Sequence, residues 1–179
     1  SRALINQDEI EGKHPDIDPR FLFIHSGYNL RPMEVQAALG ISQLGRLAEM
    51  NTDRLENHHR IMQALQARPE WHKRFQSIEA AKGTSPVWFG FCALLKKKYS
   101  YELPNYLKYL TECGVENRPI LAGNIVRQPM LFNAGLKLKS ELFVGAETVH
   151  KAGFFIGLQG EPIKPELIEK LVEIILGYW

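Results

Sequence analysis

Two clusters in this 179-residue sequence carry side chains whose types and spacing suit chemistry. The first is Gly27-Tyr28-Asn29-Leu30-Arg31-Pro32. A glycine turn leads into a proline at a first helical position, where free backbone N–H groups and the positive end of the helix gather. Asn29 adds a neutral donor and Arg31 a charged fork, which is equipment for a phosphate. The same residues also make an ordinary turn with a solvated arginine, and both readings stay open at this level. The second cluster is Glu116-Asn117-Arg118-Pro119-Ile120 followed by Ala122-Gly123-Asn124-Ile125-Val126-Arg127. An arginine among apolar strand residues, with Asn124 and Arg127 nearby, suits a diphosphate or a sugar, or an ion pair on an edge strand.

Other chemistry is poorly supported. There are six histidines, but His58 and His59 are adjacent and diverge on a helix, and no H-x-x-x-H or H-E-x-x-H pair occurs. No metal site is expected. Gly153, Gly157 and Gly160 do not match a phosphate-loop or dinucleotide-binding spacing. Lys96-Lys97-Lys98 follows a strand and reads as a solvated edge that discourages pairing. Cys92 and Cys113 are too few for a disulfide framework, a structural zinc or an iron–sulfur cluster, and fit reduced thiols in a cytoplasm.

The elements that position these clusters follow from periodicity. Residues 1–20 read as loop, and Phe21-Leu22-Phe23-Ile24 as a strand or a buried extended run. From Met33 to Arg68, Ala37, Ile41, Leu44, Ala48, Leu55, Met62 and Leu65 form one apolar stripe. Asn51-Thr52-Asp53 suggests two helices meeting near residue 51, with Pro69 as the stop. Gly40 and Gly45 suggest another backbone approaching closely. Strands are expected over 87–95, 115–121 and 154–158, the second weakened by Pro119. Helices are expected over 103–113, 141–151 and 166–176. The resulting fold class is α+β: long N-terminal helices, then a small three-stranded, mostly antiparallel sheet with helices on one face.

Composition bounds the remaining possibilities. The sequence is 45% hydrophobic and 23% charged with a net charge of +2, ordinary for a globular domain and far from the excess of a dedicated nucleic-acid binder. No run of 18 apolar residues suggests a membrane span, and no secretory leader is visible. The polar, aperiodic opening at Ser1 reads as a piece of a longer chain.

Residues 27–44 resemble the G-Y-N-x-R-x-x-x-x-Q-A-A-x-G-x-x-Q-L signature of the DegT/DnrJ/EryC1/StrS family, through Gly27, Tyr28, Asn29, Arg31, Gln36, Ala37, Ala38, Gly40, Gln43 and Leu44. Residues 117–129 and 18–21 are most similar to the branch acting on nucleotide-linked 4-keto-6-deoxyhexoses, 3-dehydratases included. The resemblance implies that residues 21–179 are the C-terminal small domain of a fold-type I pyridoxal-phosphate enzyme, and residues 1–20 a loop left from its upstream domain. It implies an enzyme using pyridoxal or pyridoxamine 5'-phosphate for 3-dehydration or amino transfer on a nucleotide-diphosphate sugar. The setting implied is lipopolysaccharide or O-antigen sugar synthesis in the cytoplasm. It further implies a homodimer whose active site is shared across the interface.

Asn29, with Tyr28 and Arg31, would contact the cofactor phosphate. Arg118, Asn124, Arg127, His150 and Phe155 would face the substrate. No catalytic residue is expected within this stretch, because the Schiff-base Lys (His in the 3-dehydratases) belongs to the missing domain. Lys137, Lys139 and Lys151 do not match its context, so no cofactor is expected bound to this chain alone. The competing reading is a non-catalytic binding or dimerisation module of ferredoxin-like type. Neither nucleic acid nor membrane is an expected partner.

Overall fold

The computed structural model describes residues 13–24 and 33–179. Tyr28, Asn29 and Arg31, expected to contact the cofactor phosphate, lie outside them, as does most of the loop expected over 1–20.

The helical stretch is two helices, α1 (Glu34–Leu44) and α2 (Leu47–Gln66). The break falls at Gly45-Arg46 rather than near residue 51. Thr52 turns its hydroxyl back onto the Ala48 carbonyl at 3.0 Å, so the capping-type sequence is absorbed inside α2. Of the expected stripe only Leu65 is buried; Met62 is half-buried and Leu55 is exposed. α1 buries none of its residues, and Leu39, Ile41 and Leu44 are all exposed. In α2 the buried positions are Asn57, Ile61 and Leu65, four residues apart. Among the described residues nothing lies within 4 Å of a Cβ on Gly40, and one on Gly45 would meet its own turn, at the Ser42 carbonyl. Pro69 does not end the helical region. It opens a short helix, α3 (Pro69–Arg74), as its first residue.

α3 runs directly into β1 (Phe75–Ser77), a strand too short for the sequence to signal. β2 (Gly90–Leu95) and β3 (Gly153–Gly157) complete an antiparallel sheet in the order β1-β2-β3. The register pairs Phe75 with Leu95, Phe91 with Ile156 and Ala93 with Phe154. A ferredoxin-like sheet has four strands in split βαβ order, which this three-stranded order does not reproduce. The strand expected over 115–121 contributes only a single bridge, Arg118 to Phe155, because Pro119 offers no N–H to continue the ladder. Residues 21–24 form no strand of the sheet; they run on from a 3-10 turn at Pro19–Phe21.

Alternation along the strands puts Phe75, Phe91, Ala93, Leu95, Phe154 and Ile156 on one face. They form one buried cluster with Ile61 and Leu65 of α2, Tyr106 and Leu110 of α4 (Leu103–Glu112), and Ile168, Val172 and Ile175 of α7 (Pro165–Leu176). Tyr106 packs edge-on against Phe154 at 5.3 Å, and its hydroxyl donates to the Ile175 carbonyl at 3.0 Å. Gly114, at φ +81, lets the chain leave α4 in a left-handed turn. Between α4 and β3 lie a 3-10 turn (Ile125–Arg127), α5 (Pro129–Asn133) and α6 (Val144–Ala152). Among the described residues no helix is long and apolar enough to cross a membrane.

Candidate functional site

The opposite face of the sheet carries the second cluster. Arg118 and Phe155 exchange both backbone hydrogen bonds, at 2.9 and 2.8 Å, which seats the arginine at the open edge of β3. Phe155 lies across β2 where Gly90 has no side chain; a Cβ there would collide with its ring. Trp88, Phe89, Cys92, Phe155, Ile120 and Leu121 wall an apolar pocket of about 350 Å³, with Arg118 as the one charged member among the described residues. The guanidinium donates to Glu116 Oε1 at 2.8 Å, and that carboxylate is largely exposed. An exposed pair of this kind is worth under about 1 kcal/mol, so Arg118 exchanges partners at little cost. Burial pushes the Cys92 thiol pKa up, which keeps it protonated and unreactive.

Leu121 is the one non-glycine residue at positive φ among those described, at +51. Gly123 follows at +63, and a Cβ there would run into the imidazole of His150. This double left-handed turn lifts the chain off the sheet edge and buries Asn124 completely. Asn124 Oδ1 accepts from Val126 N at 3.1 Å, capping the 3-10 turn, and its Nδ2 donates to Glu147 Oε2 at 3.0 Å. Arg127 grips both oxygens of Glu147, at 2.9 and 2.5 Å, and donates a third bond to Asp16 at 2.7 Å. Lys151, one turn along α6, reaches the same carboxylate at 2.9 Å.

The Arg127 bonds, helped by those of Lys151 and Asn124, hold the Glu147 carboxyl well below the usual carboxylate range. Glu147 in turn holds the Arg127 guanidinium above its ordinary value. Burial, then the charge of Arg127, pushes the His150 imidazole pKa down. His150 accepts from the Asn124 amide at 3.4 Å and sits 3.9 Å from Asp16. It lines, with Asp16, Phe21, Tyr101, Leu107 and Lys151, a groove of about 660 Å³.

The five residues expected to face the substrate therefore separate into two groups. Arg118 and Phe155 meet at the open pocket. Asn124, Arg127 and His150 meet in a polar cluster whose donors and acceptors are taken up largely by one another and by Asp16 and Glu147. Sequence reasoning missed Trp88, Phe89 and Phe21 as pocket walls, since aromatic residues beside a strand read as core. It also missed Glu147, although its i,i+4 spacing to Lys151 was visible. Among the described residues no group of three His, Cys, Asp or Glu side chains is placed to hold a metal.

The described residues do not by themselves make a pocket for a phosphate-bearing aldehyde cofactor. Lys151 and Arg127 are committed to carboxylates, and Lys137 and Lys139 are exposed on a loop.

A small antiparallel sheet backed by helices carries an arginine-edged pocket on its free face. Residues 7–175 match the DegT/DnrJ/EryC1/StrS aminotransferase family, and the chain belongs to it. It is 32% identical over 164 residues to a GDP-4-keto-6-deoxy-D-mannose 3-dehydratase of Yersinia pseudotuberculosis, covering 88% of this chain and 39% of that protein. It is 32% identical over 141 residues to the lipopolysaccharide biosynthesis protein RfbH of Salmonella typhimurium, covering 79% of this chain and 31% of the relative. Among solved structures it is similar to the E. coli GDP-4-keto-6-deoxy-D-mannose-3-dehydratase with bound hydrated PLP. There the TM-score is 0.70 at 25% identity, over 88% of this chain and 39% of that one. The chain thus spans between 31% and 39% of the length of these curated relatives.

Proposed function

We propose that this chain is the C-terminal part of a pyridoxal- or pyridoxamine-phosphate enzyme that dehydrates at C3, or transfers an amino group to, a nucleotide-diphospho-4-keto-6-deoxyhexose. The product would enter lipopolysaccharide or O-antigen sugar synthesis in the cytoplasm. The observation that carries the reading is the pocket beside Arg118: one exchangeable guanidinium at the lip of an aromatic slot suits a diphosphate joined to flat and apolar groups. Arg118 and Phe155 take the substrate. Asn124, Arg127 and His150 hold the turn that presents Arg118, and His150 and Arg127 border the adjoining groove. Asn29, flanked by Tyr28 and Arg31, takes the cofactor phosphate across the interface of a homodimer.

The cofactor, when bound, supplies the electron sink, while this chain contributes binding and orientation. The Schiff-base residue belongs to a domain preceding Ser1, so this chain alone is inactive. Joining it to that domain tests the reading. The expected result is a cofactor absorbance band and turnover of a nucleotide-linked 4-keto sugar, with neither from this chain alone. A joined protein with no band and no turnover would contradict it. So would a stable imine formed by this chain at Lys137, Lys139 or Lys151.

A further inference from the structure

Residues 22–24 run on from the 3-10 turn without a strand beside them, yet four backbone groups of residues 21–24 are bonded by residues 128–133. Gln128 Nε2 donates to the Phe21 carbonyl at 3.0 Å, and Gln128 Oε1 accepts from the Phe23 amide at 2.9 Å. The Met130 amide donates to the Phe23 carbonyl at 2.9 Å, and Asn133 Nδ2 donates to the Ile24 carbonyl at 2.8 Å. Gln128 is only 1% exposed, and the adjacent Pro129 opens α5. Nε2 also makes a longer bond to the Ala122 carbonyl, at 3.4 Å; a buried carboxamide whose shorter bonds, one donated and one accepted, both go to one distant segment does more than fill space. A methionine of similar volume would fill the space equally well.

Phe21 is what this clamp presents. Its side chain lines both the aromatic pocket beside Arg118 and the groove beside His150, so it forms the wall common to the two. Elsewhere in the segment, Arg20 spends its guanidinium mainly on Asp18, two residues away, with one bond to the Asn117 carbonyl at 3.2 Å.

We propose that Gln128 is a positioning residue: its carboxamide fixes the backbone of Phe21 and Phe23 so that the Phe21 ring stands as a wall of the substrate pocket. The inference rests on the reading above, in which that pocket takes a nucleotide sugar. Gln128 touches no substrate; it acts through Phe21.

The test uses the joined, full-length protein and steady-state kinetics with a nucleotide-linked 4-keto sugar. Gln128→Met removes all three side-chain bonds at nearly constant volume. It is expected to raise KM about tenfold while kcat stays within about threefold, the pattern of lost binding rather than lost chemistry. Phe21→Ala should raise KM similarly, and the double variant should be little worse than either single one, because both remove the same wall. Gln128→Glu can reproduce the pair of bonds only while its carboxyl is protonated. Its KM should therefore approach the wild-type value at low pH and climb as pH rises, against a flat wild-type profile. A purely structural role would lower kcat together with the melting temperature and would show no Phe21 coupling. Gln128→Met with a wild-type KM, or additive effects in the double variant, would overturn the inference alone. A wild-type joined protein that turns over no nucleotide sugar would overturn the functional reading, and this inference with it.

Discussion

The two faces of the sheet are built on different physics. The inner face is apolar: Phe75, Phe91 and Phe154 interlock with Tyr106 and with α2 and α7, and the buried aromatic rings gather there. The outer face is held by a few directional polar contacts, Glu147 with Arg127, Asn124 with Val126, and Gln128 with residues 21 and 23. Apolar packing is non-directional and tolerates volume-conserving change, whereas a polar cluster fails as a unit once one partner is lost. The lesson is that stability resides on one side of the sheet and shape on the other. Substitutions should separate the two.

The largest stability loss is expected at the inner face. Phe154→Ala empties the centre of the aromatic packing and should cost about 4 kcal/mol, read as a lower urea midpoint with an unchanged slope. Glu147→Gln comes next. It leaves Arg127 with one carboxylate in place of two and should cost about 2 kcal/mol. Its pH signature distinguishes it. The folded Glu147 pKa lies below the unfolded value of about 4.3, so the folded state binds fewer protons and this contribution is complete above the ordinary carboxylate range. It is lost as pH falls below that range. Wild-type stability should therefore drop on acidification more steeply than that of Glu147→Gln, and parallel acid titrations would contradict the assignment. Tyr106→Phe keeps the ring and strands the Ile175 carbonyl, for about 1 kcal/mol, measurable by thermal melting. Smallest is Leu121→Gly. Relief of the left-handed strain and the added freedom of glycine oppose each other, so the net change should stay within about 1 kcal/mol.

The inner face was readable from periodicity because burial repeats every two residues in a strand and every three or four in a helix. β2, β3, α4 and α7 fell near their expected positions for that reason. β1 escaped because three residues carry no period, and the α1 stripe misled because apolar spacing says nothing about whether a covering surface lies within the same chain. On the outer face, Arg118 was legible as an arginine among apolar strand residues. The engagement of Asn124 and Arg127 was not, since Asp16 lies 111 residues from Arg127 in sequence and no local pattern links them. Gln128 carried no sequence signal of its own; its backbone partners at Phe21 and Phe23, 107 and 105 residues away, set it apart.

The central claim is that the free face of the sheet, at Arg118, takes the diphosphate of a nucleotide sugar. Its most direct test is the dissociation constant of a nucleotide sugar for the joined protein, wild type against Arg118→Ala. The exposed pair with Glu116 contributes little to stability, so the variant should melt within about 0.5 kcal/mol of wild type. A tenfold or greater loss of affinity, about 1.4 kcal/mol or more, is predicted. Unchanged affinity in a folded Arg118→Ala protein would contradict the account.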